Sequence, residues 1–153
     1  MSKTETYIAM QSESPDAFQD MLKADLKDVG VARFNQDHLR LLNEFLVLQR
    51  VMDDFRQNKI SESGWKKADE IITFLFKYAE EHFGAEEEAM KKANYKDYVS
   101  HEAMHSQFRR MLVDYKEVVA ARDKKNFLAS NMICLIGFFN HINNVDVRYS
   151  GLI

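Results

Sequence analysis

The chain has 153 residues and a formal net charge of −3, with acids and bases intermingled, so no basic stripe is available to neutralise a phosphate backbone and nucleic acid is excluded as a partner. The single cysteine, Cys134, cannot form an internal disulfide, and five glycines with one proline supply few of the tight turns that a sandwich or barrel needs. The opening MSKTETYIAM lacks the basic start and apolar run of a secretory signal, and FLFKYAEEHF and NMICLIGFFN fall short of the roughly 20 apolar residues of a membrane span, so a soluble cytoplasmic protein without membrane contact is expected.

Residues 1–30 read as a polar lead segment with a short helix around Pro15 to Lys27, ending at Gly30. Residues 31–153 carry four helical stretches. The first runs from Asn35, read as its cap, to about Gln57, and repeats Leu41, Leu42, Phe45, Leu48, Met52 and Phe55 at helical spacing. The second begins near Ser61 or Ser63, aligns Trp65, Ala68, Ile72, Leu75, Ala79 and His82 on one face, and continues to about Lys92. The third, from about Val99 to Ala121, carries His101, His105, Phe108, Leu112, Tyr115 and Val119 on one stripe. The fourth, from about Asn126 to Arg148, passes through Met132, Leu135, Phe138, Ile142 and Val145. Connections as short as these predict an all-α fold, an up-down-up-down antiparallel four-helix bundle.

All the histidines fall into one series with two carboxylates: His38, His82-x-x-x-Glu86, His101-x-x-x-His105 and His141-x-x-x-x-Asp146. His38 lies near a helix start, His82 and Glu86 near an end, His101 and His105 near a start, His141 and Asp146 near an end. An antiparallel bundle brings all seven to one end of the molecule. Residues four apart on a helix share a face, so His82 with Glu86 and His101 with His105 can each serve one site. His141 and Asp146, five apart, are separated by about 140° on an ideal helix, which calls for a wide centre or a local distortion of the π-bulge kind. Five imidazoles and two carboxylates exceed what one tetrahedral zinc takes. If both carboxylates bridge, and a hydroxide bridges with them, two six-coordinate ions are filled but for one position.

The strings NQDHLRLLNEF, YAEEHFGAEEEAM, HEAMHSQF and NHINNVDVRY resemble the ligand motifs of hemerythrins of the bacterial type, over roughly residues 28 to 150. The resemblance implies a non-haem centre of two iron ions with an oxo or hydroxo bridge that binds dioxygen reversibly, for storage, delivery or sensing, without catalytic turnover. Carried over by position, it assigns His101, His105 and His141 to the filled iron and His38 and His82 to the iron with the open site. Glu86 and Asp146 become the bridges, and Phe138 and Ile142 the expected apolar wall of the oxygen pocket. Gly137 stands where the family usually has a tryptophan, Asn35 where an aspartate usually opens the first motif, and Lys96 where a proline is common. The glycine leaves a cavity or admits water unless Phe138, Phe139 or the lead segment fills the space. A wetter pocket would favour the alternative function, a di-iron enzyme acting on peroxide or nitric oxide.

Two other metal motifs fit less well. His101-Glu-Ala-Met-His105 satisfies the HExxH pattern of zinc proteases, but the extended form needs glycine and histidine where the chain has Phe108 and Met111, and Glu102 points about 100° away from the two histidines. Carboxylate-rich di-iron bundles take a Glu-x-x-His unit from each of two helices, and none occurs here. Glu87 and Glu88 read as a solvated face. Met52, Met90, Met104, Met111 and Met132 read as core or partly buried packing, Cys134 as a small buried hydrophobe, and Tyr149 with Gly151-Leu152-Ile153 as a cap on the last helix. The sequence names no protein partner.

Overall fold

The computed structural model describes residues 5–6 and 14–153, and the regular elements among them are all helical. Five helices follow in order: α1 (Pro15–Asp25), α2 (Ala32–Arg56), α3 (Glu62–Lys92), α4 (Tyr98–Ala120) and α5 (Lys124–Asn144). A short 3₁₀ turn, Asp146–Tyr149, follows α5. The caps set these limits. Ser61 accepts the Gly64 N–H at 3.1 Å to start α3, and Asp123 accepts the Asn126 N–H at 3.1 Å to start α5. Helices α2, α3 and α4 each stop in the same way, with one residue in the left-handed region, Asn58 (φ 59°), Asn94 (φ 51°) and Arg122 (φ 56°). In each case the next amide reaches back past the usual helical partner, Lys59 to Asp54, Tyr95 to Met90 and Asp123 to Val118, which is the Schellman arrangement.

Asn35 is not the cap of the first long helix. Helix α2 begins three residues earlier, and the Asn35 amide turns back to accept the Val29 N–H (2.9 Å) while donating to Asp28 (2.7 Å). It therefore pins the turn before α2, where Gly30 sits at φ +81°. Helix α5 also ends earlier than its sequence pattern suggests, at Asn144 rather than Arg148.

The four long helices form a bundle: α2 packs on α3, α3 on α4, α4 on α5, and α5 back on α2. One core runs through it, and each fully buried leucine or phenylalanine adds roughly 1.5–3 kcal/mol of transfer free energy. At one end Phe55 closes the last turn of α2 against Trp65 at the start of α3 and Phe127 at the start of α5, with ring centroids 4.7 and 5.6 Å away. Further along, a buried polar chain ties three helices: Tyr115 donates to Asn131 (2.9 Å), which donates to Gln49 (3.2 Å). Helix α1 lies on α2 with Phe18 and Leu22 fully buried, and the Asn143 amide accepts the Lys27 N–H at 2.9 Å. Met52, Met90 and Cys134 are buried as their patterns suggest, whereas Met104 is exposed. No helix among the described residues is long and apolar enough to cross a membrane.

Candidate metal centre

The end of the bundle opposite the aromatic cluster holds all five histidines together with Glu86 and Asp146. Helix α2 contributes His38 from its second turn, α3 contributes His82 and Glu86, α4 contributes His101 and His105, and α5 contributes His141. Asp146 comes from the 3₁₀ turn. This turn resolves the awkward spacing of five, because the α-helix stops at Asn144 and Val145 (φ −114°, ψ −61°) redirects the chain. A helix end followed by a tighter turn, not a π-bulge, therefore aims the last carboxylate inward.

The carboxylate oxygens divide the histidines into two sets. Glu86 Oε1 lies 3.4 Å from His82 Nε2 and 3.5 Å from His38 Nε2, while its Oε2 lies 3.2 Å from His105 Nε2. Asp146 does the same in reverse, with Oδ1 at 3.0 Å from His101 and 2.9 Å from His141, and Oδ2 at 3.3 Å from His38. One group, His38, His82, Glu86 and Asp146, and a second, His101, His105, His141 and Asp146, each place their ligand atoms within 4.8 Å of one another. Glu86 faces both groups through its two oxygens.

Two outer carboxylates orient the rings. Asp37 lies 3.1 Å from His82 Nδ1 and accepts the Tyr78 hydroxyl at 2.7 Å. Glu87 lies 2.9 Å from His105 Nδ1 and accepts from Arg109 at 2.9 Å. With Nδ1 engaged outward, Nε2 is the ring atom that each of these histidines turns to the centre. Glu87 is therefore not part of a solvated face: Arg109 and His105 hold it at the edge of the site, only 16% exposed. Tyr149 also does more than cap a helix, since it is fully buried and its hydroxyl donates to Glu86. The sequence carried one faint signal for the outer acids. Each adjoins a member of the converging set in the chain, Asp37 before His38 and Glu87 after Glu86, yet serves a histidine on a neighbouring helix. Glu102 stays outside, accepting from Ser106 at 3.0 Å.

The electrostatics suit a cation. Burial and the neighbouring Asp146 carboxylate push the Glu86 pKa up, but His82, His105 and His38 outweigh them and hold it well below the usual range. Burial likewise opposes ionisation of Asp146, and the close imidazoles of His101, His141 and His38 prevail, so its pKa is lowered too. Burial also disfavours a charge on His38, yet Asp146 and Glu86 raise its pKa to about 9. A proton is thus drawn to the place a metal ion would take. Even so, His105 Nε2, Glu86 Oε2, Asp146 Oδ1 and His38 Nδ1 are buried without a well-aligned hydrogen bond. Three of these four atoms belong to the converging set, and their close but misaligned pairs are what a shared ion would satisfy. The donor set of imidazole and carboxylate fits first-row transition ions.

Phe138 is buried beside this centre, its ring 6.2 Å from that of His38, and Ile142 is fully buried one residue after His141. An apolar gap lined by Leu41, Phe45, Leu75, Ala79, Phe108 and Phe138 adjoins it and has no room for a water molecule. Gly137 leaves its space open: Phe138 and Phe139 turn into the core, and a cleft between α4 and α5 reaches His141, the most exposed of the five histidines at 13%. Helix α1 does not line that cleft.

A helical bundle in which every long helix brings a histidine to one end, beside two buried carboxylates, carries the donor set of a candidate metal centre. Residues 29–146 match the family model described as Hemerythrin HHE cation binding domain, and the chain belongs to the hemerythrin family. It is 35% identical over 82 residues to a protein named Myohemerythrin from Theromyzon tessulatum, a stretch covering 54% of this chain and 62% of that protein. Over 82 residues it is 30% identical to a hemerythrin subunit from Sipunculus nudus, covering 54% of this chain and 63% of the other. The match thus spans less than two thirds of either relative's length. No solved structure matches the chain.

Proposed function

We propose that the protein binds dioxygen reversibly at a non-haem centre of two iron ions, serving storage, delivery or sensing and not catalytic turnover. His101, His105 and His141 would hold one iron and His38 and His82 the other, with Glu86 and Asp146 available to both. The observation that carries this reading is the division of the carboxylate oxygens, each acid turning one oxygen to each set of histidines. When bound, the iron pair supplies reversible electron transfer to dioxygen. The chain supplies the rest: imidazoles oriented by Asp37 and Glu87, a proton on Tyr149 held against Glu86, and a dry wall made by Phe138 and Ile142. The four long helices run up-down-up-down as residues 31–153, with 1–30 as a lead segment. Phe55 meeting Trp65 and Phe127 at one end, and His38 meeting His82 at the other, support that topology. A cytoplasmic setting accords with the buried free thiol of Cys134. The test is anaerobic reconstitution with ferrous iron followed by air: a coloured adduct that bleaches when oxygen is removed is expected, and iron binding without an oxygen-dependent band overturns the reading.

A second reading, an enzyme acting on hydrogen peroxide or nitric oxide, draws on the cleft beside Gly137, which lets solvent reach His141. It requires turnover of either substrate faster than decay of the oxygen adduct, and slower turnover in Gly137→Trp.

A further inference from the structure

The cleft on the outer side of the metal end is a built feature of this chain. Helices packed side by side normally fill the space between them with interleaved side chains. Between α4 and α5 one is missing. A Cβ at Gly137 would meet only Met111 Cε, at 3.7 Å. The result is a hollow of about 380 Å³, within the range of small-molecule sites, roughly 300–1,000 Å³. Met104, Phe108 and Met111 face it from α4, and Asn140 and His141 flank Gly137 on α5.

The lining limits what can bind. No residue in it carries a fixed charge, so a charged ligand would lose hydration without gaining a partner. Methionine sulfur and the edge of a phenylalanine ring both favour an aromatic face. Met104 is 40% exposed, an apolar side chain standing in water at the mouth. Asn140 and its neighbouring amides offer donors and acceptors at the rim, suited to a ring bearing one polar atom. We propose that this cleft is a binding site for a neutral, planar aromatic molecule of one or two fused rings. Seated there, it lies against His141 and shuts out the solvent that reaches that ring. The site itself requires no metal, so its failure would leave the di-iron reading intact, and failure of that reading would leave the site intact.

The test is calorimetric titration of the full chain as purified, with indole as the probe and indole-3-acetate and tryptamine as its anionic and cationic counterparts. Indole is expected to bind saturably at one site, with both charged molecules weaker by about tenfold or more. Gly137→Trp, which fills the cleft from within, should abolish binding. Met111→Glu keeps the glycine and puts a charge into the lining; it should abolish binding too, so the test stands even if the tryptophan variant does not fold. Absence of saturable heat with indole up to a few millimolar, equal binding of a charged counterpart, or unchanged binding in the variants would overturn the proposal.

Discussion

Asp37 and Glu87 act on equivalent atoms from opposite sides of the centre, yet their surroundings differ. Glu87 is neutralised by Arg109, whose guanidinium also meets Glu80 at 2.9 Å, whereas Asp37 is held chiefly by the neutral Tyr78 hydroxyl, with Arg33 at 4.0 Å. Burial raises the Asp37 pKa, but hydrogen bonds from His82 and Tyr78 outweigh it, so the net direction is down and the acid stays ionised. Removing either acid frees its histidine to rotate or change tautomer. Asp37→Leu and Glu87→Leu should each weaken metal binding by about 10–100-fold, measured by competition with a chelator, and unchanged affinity would show that the rings are oriented by packing alone. Tyr149→Phe removes one hydroxyl from a fully buried site and leaves Glu86 without that donor. Loss of a hydrogen bond to a charged acceptor costs roughly 1.5–3 kcal/mol, which should appear as a lower urea midpoint with an unchanged denaturant slope.

At the scale of the element, helix ends carry most of the precision. Gly64 sits in the first turn of α3, where a Cβ would come within 2.8 Å of the Phe55 ring and 3.3 Å of the Ser61 hydroxyl that caps the helix. The ring is packed between Trp65 and Phe127 and has little room to move. Gly64→Ala should therefore destabilise the fold by about 1–3 kcal/mol despite the better helix propensity of alanine, and a gain in melting temperature would contradict this packing. Helix existence was legible from apolar spacing, and the start of α3 was narrowed to Ser61 or Ser63, of which Ser61 is the cap. The start of α2 was not, because Asn35 looks like a cap until its partners, Val29 and Asp28, are seen in the preceding turn. The seven converging residues could be read because each lies at a helix end of the right sense. The roles of Glu87, Asp37 and Tyr149 could not, because they depend on side chains crossing between elements far apart in the chain.

At the scale of the whole molecule, an aromatic cluster closes one end and a polar, histidine-rich centre occupies the other, with one continuous core between them. Cys134 lies within that core, and burial pushes its thiol up to about 12. Its thiolate is therefore scarce at neutral pH and its sulfur is covered, so a disulfide reagent at pH 8 should react with the native protein only at the rate of unfolding and rapidly after denaturation. Fast labelling of the native state would mean that α5 opens on its own. The cleft at Gly137 makes the two sides of the centre unequal: solvent approaches His141, while His38 lies behind Phe138 and an apolar gap too tight for water. On the proposed reading, two ions share Glu86 and Asp146 between a set of three histidines and a set of two. Anomalous diffraction at the iron edge from crystals of the iron-loaded protein tests it most directly. Two iron peaks bridged by both carboxylates, one beside His101, His105 and His141 and the other beside His38 and His82, are the expected result; a single peak, or two peaks with either carboxylate bound to one ion only, would contradict it.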